Sequence, residues 1–156
     1  MIDLSVVIPA YQESQRLPPT LERIRDYLET RALSWEVIVV DDGSTDGTAE
    51  AARKVGLEQL RLIEFPENRG KGAAIRAGVM QSRGESVLLT DADLATPIEE
   101  LEKLEQHRSG APIVFASRAL ASSRIDRRQP PHREWLGRIF NRILRLLGAA
   151  DIRDTQ

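Results

Sequence analysis

Four short apolar runs in this chain each end at residues that cannot continue a strand. Leu4-Ser5-Val6-Val7-Ile8 stops at Pro9, and Trp35 to Val40 stops at Asp41-Asp42-Gly43. Leu60 to Phe65 stops at Pro66, and Ser86 to Thr90 stops at Asp91-Ala92-Asp93. A fifth run, Pro112-Ile113-Val114-Phe115-Ala116, follows later. Continuous β-rich runs of this length read as strands buried on both faces. The gaps between them carry helical patterns. Leu21, Ile24 and Leu28 recur at i, i+3, i+7, and Thr48 to Val55 is rich in alanine. Ala73 to Ser82 follows a glycine-rich loop. Thr96-Pro97-Ile98-Glu99 reads as a helix start with a capping box, followed by an Ile98, Leu101, Leu104 stripe. Strands alternating with helices define βαβ units. The expected fold is therefore α/β, a mostly parallel, Rossmann-like sheet with flanking helices.

The 156 residues are enough for one domain, which at this size buries roughly 70% of its unfolded surface. Cysteine is absent, so disulfides, thiolate nucleophiles and cysteine-held zinc are excluded. Two histidines, His107 and His132, are too few for a histidine-rich metal site. Any metal must then be held by oxygen, which points to Mg²⁺ or Mn²⁺. No apolar run reaches the ~20 residues of a membrane span. Met1-Ile2-Asp3-Leu4-Ser5 lacks a basic region leading into an apolar stretch, so no signal peptide is expected.

The net charge of −2 hides an asymmetry. Residues 1–117 hold 20 acidic and 13 basic side chains, whereas 118–145 hold eight arginines against Asp126 and Glu134. Ser117 to His132 has no periodicity and reads as a loop. Beyond it, Leu136, Ile139, Phe140, Ile143 and Leu147 form an apolar helix face, with Arg138, Arg142 and Arg145 as a basic stripe. Nucleic-acid binding is disfavoured, because the body is acidic and no recognition motif is present.

In open α/β sheets, ligands bind beyond the carboxyl ends of the strands. Those ends carry Pro9-Ala10-Tyr11-Gln12-Glu13, Asp41-Asp42-Gly43-Ser44, Asn68-Arg69-Gly70-Lys71-Gly72 and Asp91-Ala92-Asp93. Two carboxylates at i, i+2 can point the same way once the chain leaves the sheet. They could share a hard cation with phosphate oxygens. The structural alternative is that they cap the next helix, a role Thr96 already fills. For Asp41 to Gly47 the alternative is a turn plus a cap, which uses Asp42, Ser44 or Asp46 and leaves Asp41 free to face a base or ribose. Lys71 is one of only three lysines and sits between glycines that let backbone approach an anion. A solvated loop accounts for it equally well.

Together, in this order and spacing, these segments resemble family 2 glycosyltransferases of the GT-A fold. Asp91 to Pro97, Ser117-Arg118 and Asp154-Thr155-Gln156 look closest to the polyprenyl (dolichyl) phosphate glucosyl- and mannosyltransferases. The resemblance implies one catalytic domain over 1–156. Residues 1–117 would bind the nucleotide sugar and 118–156 would form the acceptor side, with relatives continuing past the C-terminal end. It implies that Pro9, Ala10, Tyr11, Glu13, Asp41, Asp42, Gly43, Ser44, Gly70, Lys71, Asp91 and Ala92 bind the nucleotide. Asp93, with Asp91, would hold Mg²⁺ or Mn²⁺, and Arg118 and Arg133 would hold phosphate on the acceptor side. Some mannosyltransferase relatives carry a glutamine metal ligand where this chain has Ala95, which tilts the reading towards glucose.

The implied reaction is an inverting transfer of a hexose from a nucleoside-diphosphate sugar to polyprenyl phosphate. The alternatives are transfer to a saccharide hydroxyl and a nucleotide-sugar-binding fragment without turnover. The stripe Arg138, Arg142, Arg145 is split evenly between a solvated face and peripheral contact with an anionic membrane. The expected location is the cytoplasm, including its membrane face.

Overall fold

The computed structural model describes residues 1–108 and 110–116. Arg118, Arg133, the expected loop after Ser117, and the apolar and basic helix faces with Arg138, Arg142 and Arg145 lie outside the described residues. Met1–Glu102 forms one compact unit, and the residues from Lys103 onward belong to a second.

The first unit alternates strand and helix. Its elements are β1 (Ile2–Ala10), α1 (Leu17–Glu29), β2 (Trp35–Asp41), α2 (Thr48–Lys54), β3 (Leu60–Glu64), α3 (Lys71–Gln81) and β4 (Gly84–Leu89). A 3-10 turn over Ile98–Glu100 leads into α4 (Leu101–Gln106). All strand pairings are parallel, in the order β3-β2-β1-β4. Pairing runs from β1 through β2 to β3 on one side, and β4 then joins β1 on the other. The order therefore reverses beside β1, where an open α/β sheet offers a crevice at its carboxyl edge.

Side-chain alternation gives the two central strands two apolar faces. Leu4, Val6 and Ile8 of β1 join Val37 and Val39 of β2 under Leu17, Leu21, Ile24 and Leu28 of α1. Val7, Ile38 and Val40 face the other way, onto Ala74 of α3. The three apolar positions of α1 read from the sequence are all fully buried. Burying one such side chain contributes about 1.5–3 kcal/mol. On the second face, a Cβ at Gly78 would lie 2.3 Å from Val7 Cγ1, so α3 packs this close to β1 only because that residue has no side chain.

At the amino edge of the sheet, Glu36 is almost fully buried, and three hydrogen-bond donors surround it. It accepts from the Ser5 hydroxyl at 2.7 Å, the Arg83 amide at 2.7 Å and Arg61 Nη1 at 3.1 Å. Burial alone would raise its pKa, but these hydrogen bonds and the Arg61 charge outweigh that and hold it below its ordinary value.

The structure departs from the sequence reading in several places. β1 does not stop at Pro9: that residue pairs with Val40, and Ala10 follows in the same strand. β3 and β4 are edge strands rather than doubly buried ones: no β3 residue is fully buried, and Val87 and Leu89 of β4 are exposed on one face. Residues 112–116 form no strand: Ile113 and Phe115 are 78% and 63% exposed, and an apolar run without a ladder partner stays irregular. The capping box does not form. Pro97 takes the cap position without a side-chain bond, and Glu99 turns to Arg23 instead, at 3.0 and 3.1 Å. Helix α3 starts at Lys71 rather than Ala73, so Lys71 and Gly72 belong to its first turn. Among the described residues no helix is long and apolar enough to cross a membrane.

Candidate functional site

A cleft of about 390 Å³ opens at the carboxyl edge of the sheet. Its walls are Pro9, Ala10, Tyr11, Glu13, Asp42, Asn68, Gly70, Lys71, Ala74, Asp91, Ala92 and Asp93. Sequence reasoning assigns ten of these to the site. It misses Asn68, which has no role in the sequence reading of the loop after β3, and Ala74, which reads as helix body. Asp41, Gly43 and Ser44, also assigned to it, lie outside the lining.

Three neighbouring amides fix the loop after β1. The N–H groups of Gln12, Glu13 and Ser14 donate to Ser44 Oγ at 3.0 Å, Thr48 Oγ1 at 2.9 Å and Asp46 Oδ2 at 3.1 Å. Gln12 is left-handed at φ 57°, a conformation that only such over-determination keeps in a glutamine. Its side chain donates to Thr45 as well, at 3.0 Å. The polar residues after β2 thus act as a socket for the loop that carries Tyr11 and Glu13 into the cleft. Within that socket, desolvation would raise the pKa of Asp46. Hydrogen bonds from Thr48 and Ser14 outweigh it and lower the value to about 2.

The two carboxylates at the end of β2 divide their work differently from the sequence reading. Asp41, expected to have no turn role, has one: buried, it accepts the Ser44 amide at 3.0 Å. Asp42, also buried, reaches across to the loop after β3. It accepts the Arg69 amide on one oxygen at 2.7 Å and the Gly70 amide on the other at 2.8 Å. Both bonds are charge-assisted, and the carboxylate that accepts them is almost fully buried. Gly43 supports the same junction. It is left-handed at φ 72°, and a Cβ there would sit 2.4 Å from the Glu67 carbonyl carbon.

At the end of β4 the chain alternates in and out. Ala92 and Leu94 are buried in the core, and the buried Thr20 hydroxyl donates to the Ala92 carbonyl at 2.7 Å. Asp91 and Asp93 are therefore turned outward, and both line the cleft. Leu94 is left-handed at φ 46° in the turn that follows. Asp93 accepts the Ala95 amide at 3.0 Å, so it does hold a local turn, the part expected to fall to Thr96. Asp91 is paired with Lys71, Nζ to Oδ1 at 2.6 Å. Glu13 is paired with Arg16, Oε2 to Nε at 2.6 Å. No group of three or more His, Asp or Glu able to hold a metal occurs among the described residues. Asp91 and Asp93 offer only hard oxygen donors. That set fits a Mg²⁺ or Mn²⁺ ion whose remaining ligands are phosphate and water, and it fits no softer metal.

Comparison with solved structures identifies the class. A mannosyltransferase from Pyrobaculum calidifontis, in complex with GDP-Man and Mn²⁺, superposes with a TM-score of 0.58 at 30% identity. The match covers 70% of this chain and 32% of that one. Glucosyl-3-phosphoglycerate synthase from Mycobacterium tuberculosis, in complex with Mn²⁺, UDP and phosphoglyceric acid, gives a TM-score of 0.53 at 28% identity. Here 66% of this chain and 37% of the other are covered. The fold is the GT-A fold of glycosyltransferases.

The sequence narrows this further. Residues 5–155 match the model of glycosyl transferase family 2, and the chain belongs to that family. It is 42% identical to a dolichyl-phosphate beta-glucosyltransferase of Trichomonas vaginalis over 96% of its length, and 40% identical to the mouse enzyme of that name over 98%. The chain spans about half the length of these relatives, 48% and 52%.

Proposed function

We propose that this chain belongs to a glycosyltransferase that moves glucose from a nucleoside-diphosphate sugar to a polyprenyl phosphate of the dolichyl type, with residues 1–117 as its donor side. The observation that carries the reading is the meeting of Tyr11, Glu13, Lys71, Asp91 and Asp93 in one cleft at the point where the strand order reverses. Two relatives with the dolichyl-phosphate beta-glucosyltransferase name, each matched over nearly the whole chain, support the choice of sugar and acceptor.

The residues present suit that task. Pro9 and Ala10 line the cleft, and beside them Tyr11 offers a half-exposed ring against which a base can lie. Gly70 and Lys71 open α3, so the positive end of an 11-residue helix and an ammonium group both face an incoming diphosphate. Asp91 and Asp93 would hold the divalent cation, as their oxygen chemistry suits. When bound, that cation would neutralise charge on the leaving nucleoside diphosphate.

An acceptor phosphate would attack the anomeric carbon from the side away from the leaving group, inverting the configuration. It needs no general base, since its second pKa is about 6 and it is largely dianionic at neutral pH. It needs cations, which Arg118 and Arg133 would supply. Arg138, Arg142 and Arg145 would rest on the anionic, cytoplasmic face of the membrane that holds the lipid.

The test is a transfer assay with radiolabelled UDP-glucose and Mn²⁺, offering dolichyl phosphate in one arm and sugar alcohols in another. Label entering the lipid phosphate alone supports the reading. Label entering the sugar alcohols alone contradicts it. Binding of UDP-glucose without turnover, in a chain half the length of its relatives, would restrict the reading to donor recognition.

A further inference from the structure

Each carboxylate in the cleft has a partner, but the partners differ in kind. Asp42 holds two backbone amides, Asp93 holds one, and Glu13 holds Arg16 from its own loop. Asp91 alone of the four is held by a side-chain cation from a different element, Lys71 at the start of α3. Lys71 is also the one cationic side chain that lines the cleft among the described residues. Both members of the pair are more than half exposed, at 63% and 54%, so burial does not force them together.

We propose that Lys71 is a tethered placeholder for the divalent cation. Its ammonium occupies Asp91 while the cleft is empty and leaves for the diphosphate when metal and nucleotide arrive together. The inference rests on the donor-site reading above and adds an order to it.

An ammonium 2.6 Å from Asp91 Oδ1 holds that oxygen and repels a second cation beside it. Free metal must therefore displace Lys71 with nothing to receive the displaced charge. A nucleoside diphosphate changes this, because its phosphates give the ammonium a new partner within reach of a flexible four-carbon stem. Metal binds weakly to the empty cleft and tightly beside the nucleotide, which is a coupling between two ligands of one site. Lys71 is thus a positioning residue for the metal as well as a contact for the donor.

The experiment measures Mn²⁺ binding to the full 156-residue chain without nucleotide, by calorimetry or by the spin-resonance signal of free Mn²⁺. Lys71→Met is expected to bind Mn²⁺ roughly two- to fivefold more tightly, the factor that an exposed ion pair carries. The same variant binds UDP more weakly in saturating Mn²⁺, so the two effects have opposite signs. Lys71→Arg keeps the charge and stays near the parent chain in both. Arg76→Met makes the same charge change on α3 outside the cleft and leaves Mn²⁺ affinity unaltered. Equal or weaker Mn²⁺ binding by Lys71→Met overturns the inference, as does an equal gain in Arg76→Met. If the parent chain binds no Mn²⁺ even with UDP present, the metal-site reading itself fails and takes the inference with it.

Discussion

Asp42 accepts the amides of Arg69 and Gly70, one on each carboxylate oxygen, across 27 and 28 residues of sequence. The loop that delivers Lys71 to the cleft is therefore clamped to the end of β2. Asp42→Ala should cost about 2–4 kcal/mol, since it removes two charge-assisted bonds to a buried carboxylate and orphans both donors. Denaturant unfolding measures this. A loss under 0.5 kcal/mol would mean that the clamp holds nothing.

Gly43 tests the same junction from the other side. Gly43→Ala demands a left-handed alanine and puts a methyl group into backbone at 2.4 Å. The expected loss is at least about 1–3 kcal/mol, with weaker UDP binding as the loop after β3 moves away. A thermal shift at the parent temperature would show that the loop gives way without cost.

The pH dependence follows from Asp46, whose pKa falls from 3.8 unfolded to about 2 in the fold. Its contribution to stability is fully present above the unfolded value and disappears as pH drops through about 2. Thr48→Val removes one of the hydroxyl donors and should raise the Asp46 pKa. A carboxylate titration followed by NMR checks both statements. A midpoint near 3.8 in the parent chain would contradict them.

Much of this fold is legible in the sequence because local signals and tertiary demands coincide. The first four apolar runs form strands β1 to β4, although β1 continues through Pro9 to Ala10, and Leu21, Ile24 and Leu28 state their buried face plainly. The exceptions arise where a distant partner decides. Thr96 and Glu99 have capping-box spacing, yet Arg23 claims Glu99 from 76 residues away. Ile113 to Phe115 looks like a strand, but propensity does not supply a neighbour to pair with. Gly72 disguises the start of α3, since glycine is a poor helix residue whose cost tertiary packing overrides.

The site divides in the same way. Asp91 and Asp93 are legible as a pair because their i, i+2 spacing at a strand end lets both point the same way once the chain leaves the sheet. The roles of Asp41 and Asp42 are not legible, because adjacent carboxylates look alike until their partners are known. Asn68 gave no signal beyond its place in a glycine-rich loop.

The donor cleft is tested most directly by calorimetric titration of UDP-glucose into the parent chain and Asp93→Ala, with and without Mn²⁺. The expected result is binding in the parent chain that requires Mn²⁺, and its loss in a variant that remains folded by circular dichroism. Equal binding by both chains, or binding indifferent to Mn²⁺, would contradict the assignment of Asp93 and the cleft built around it.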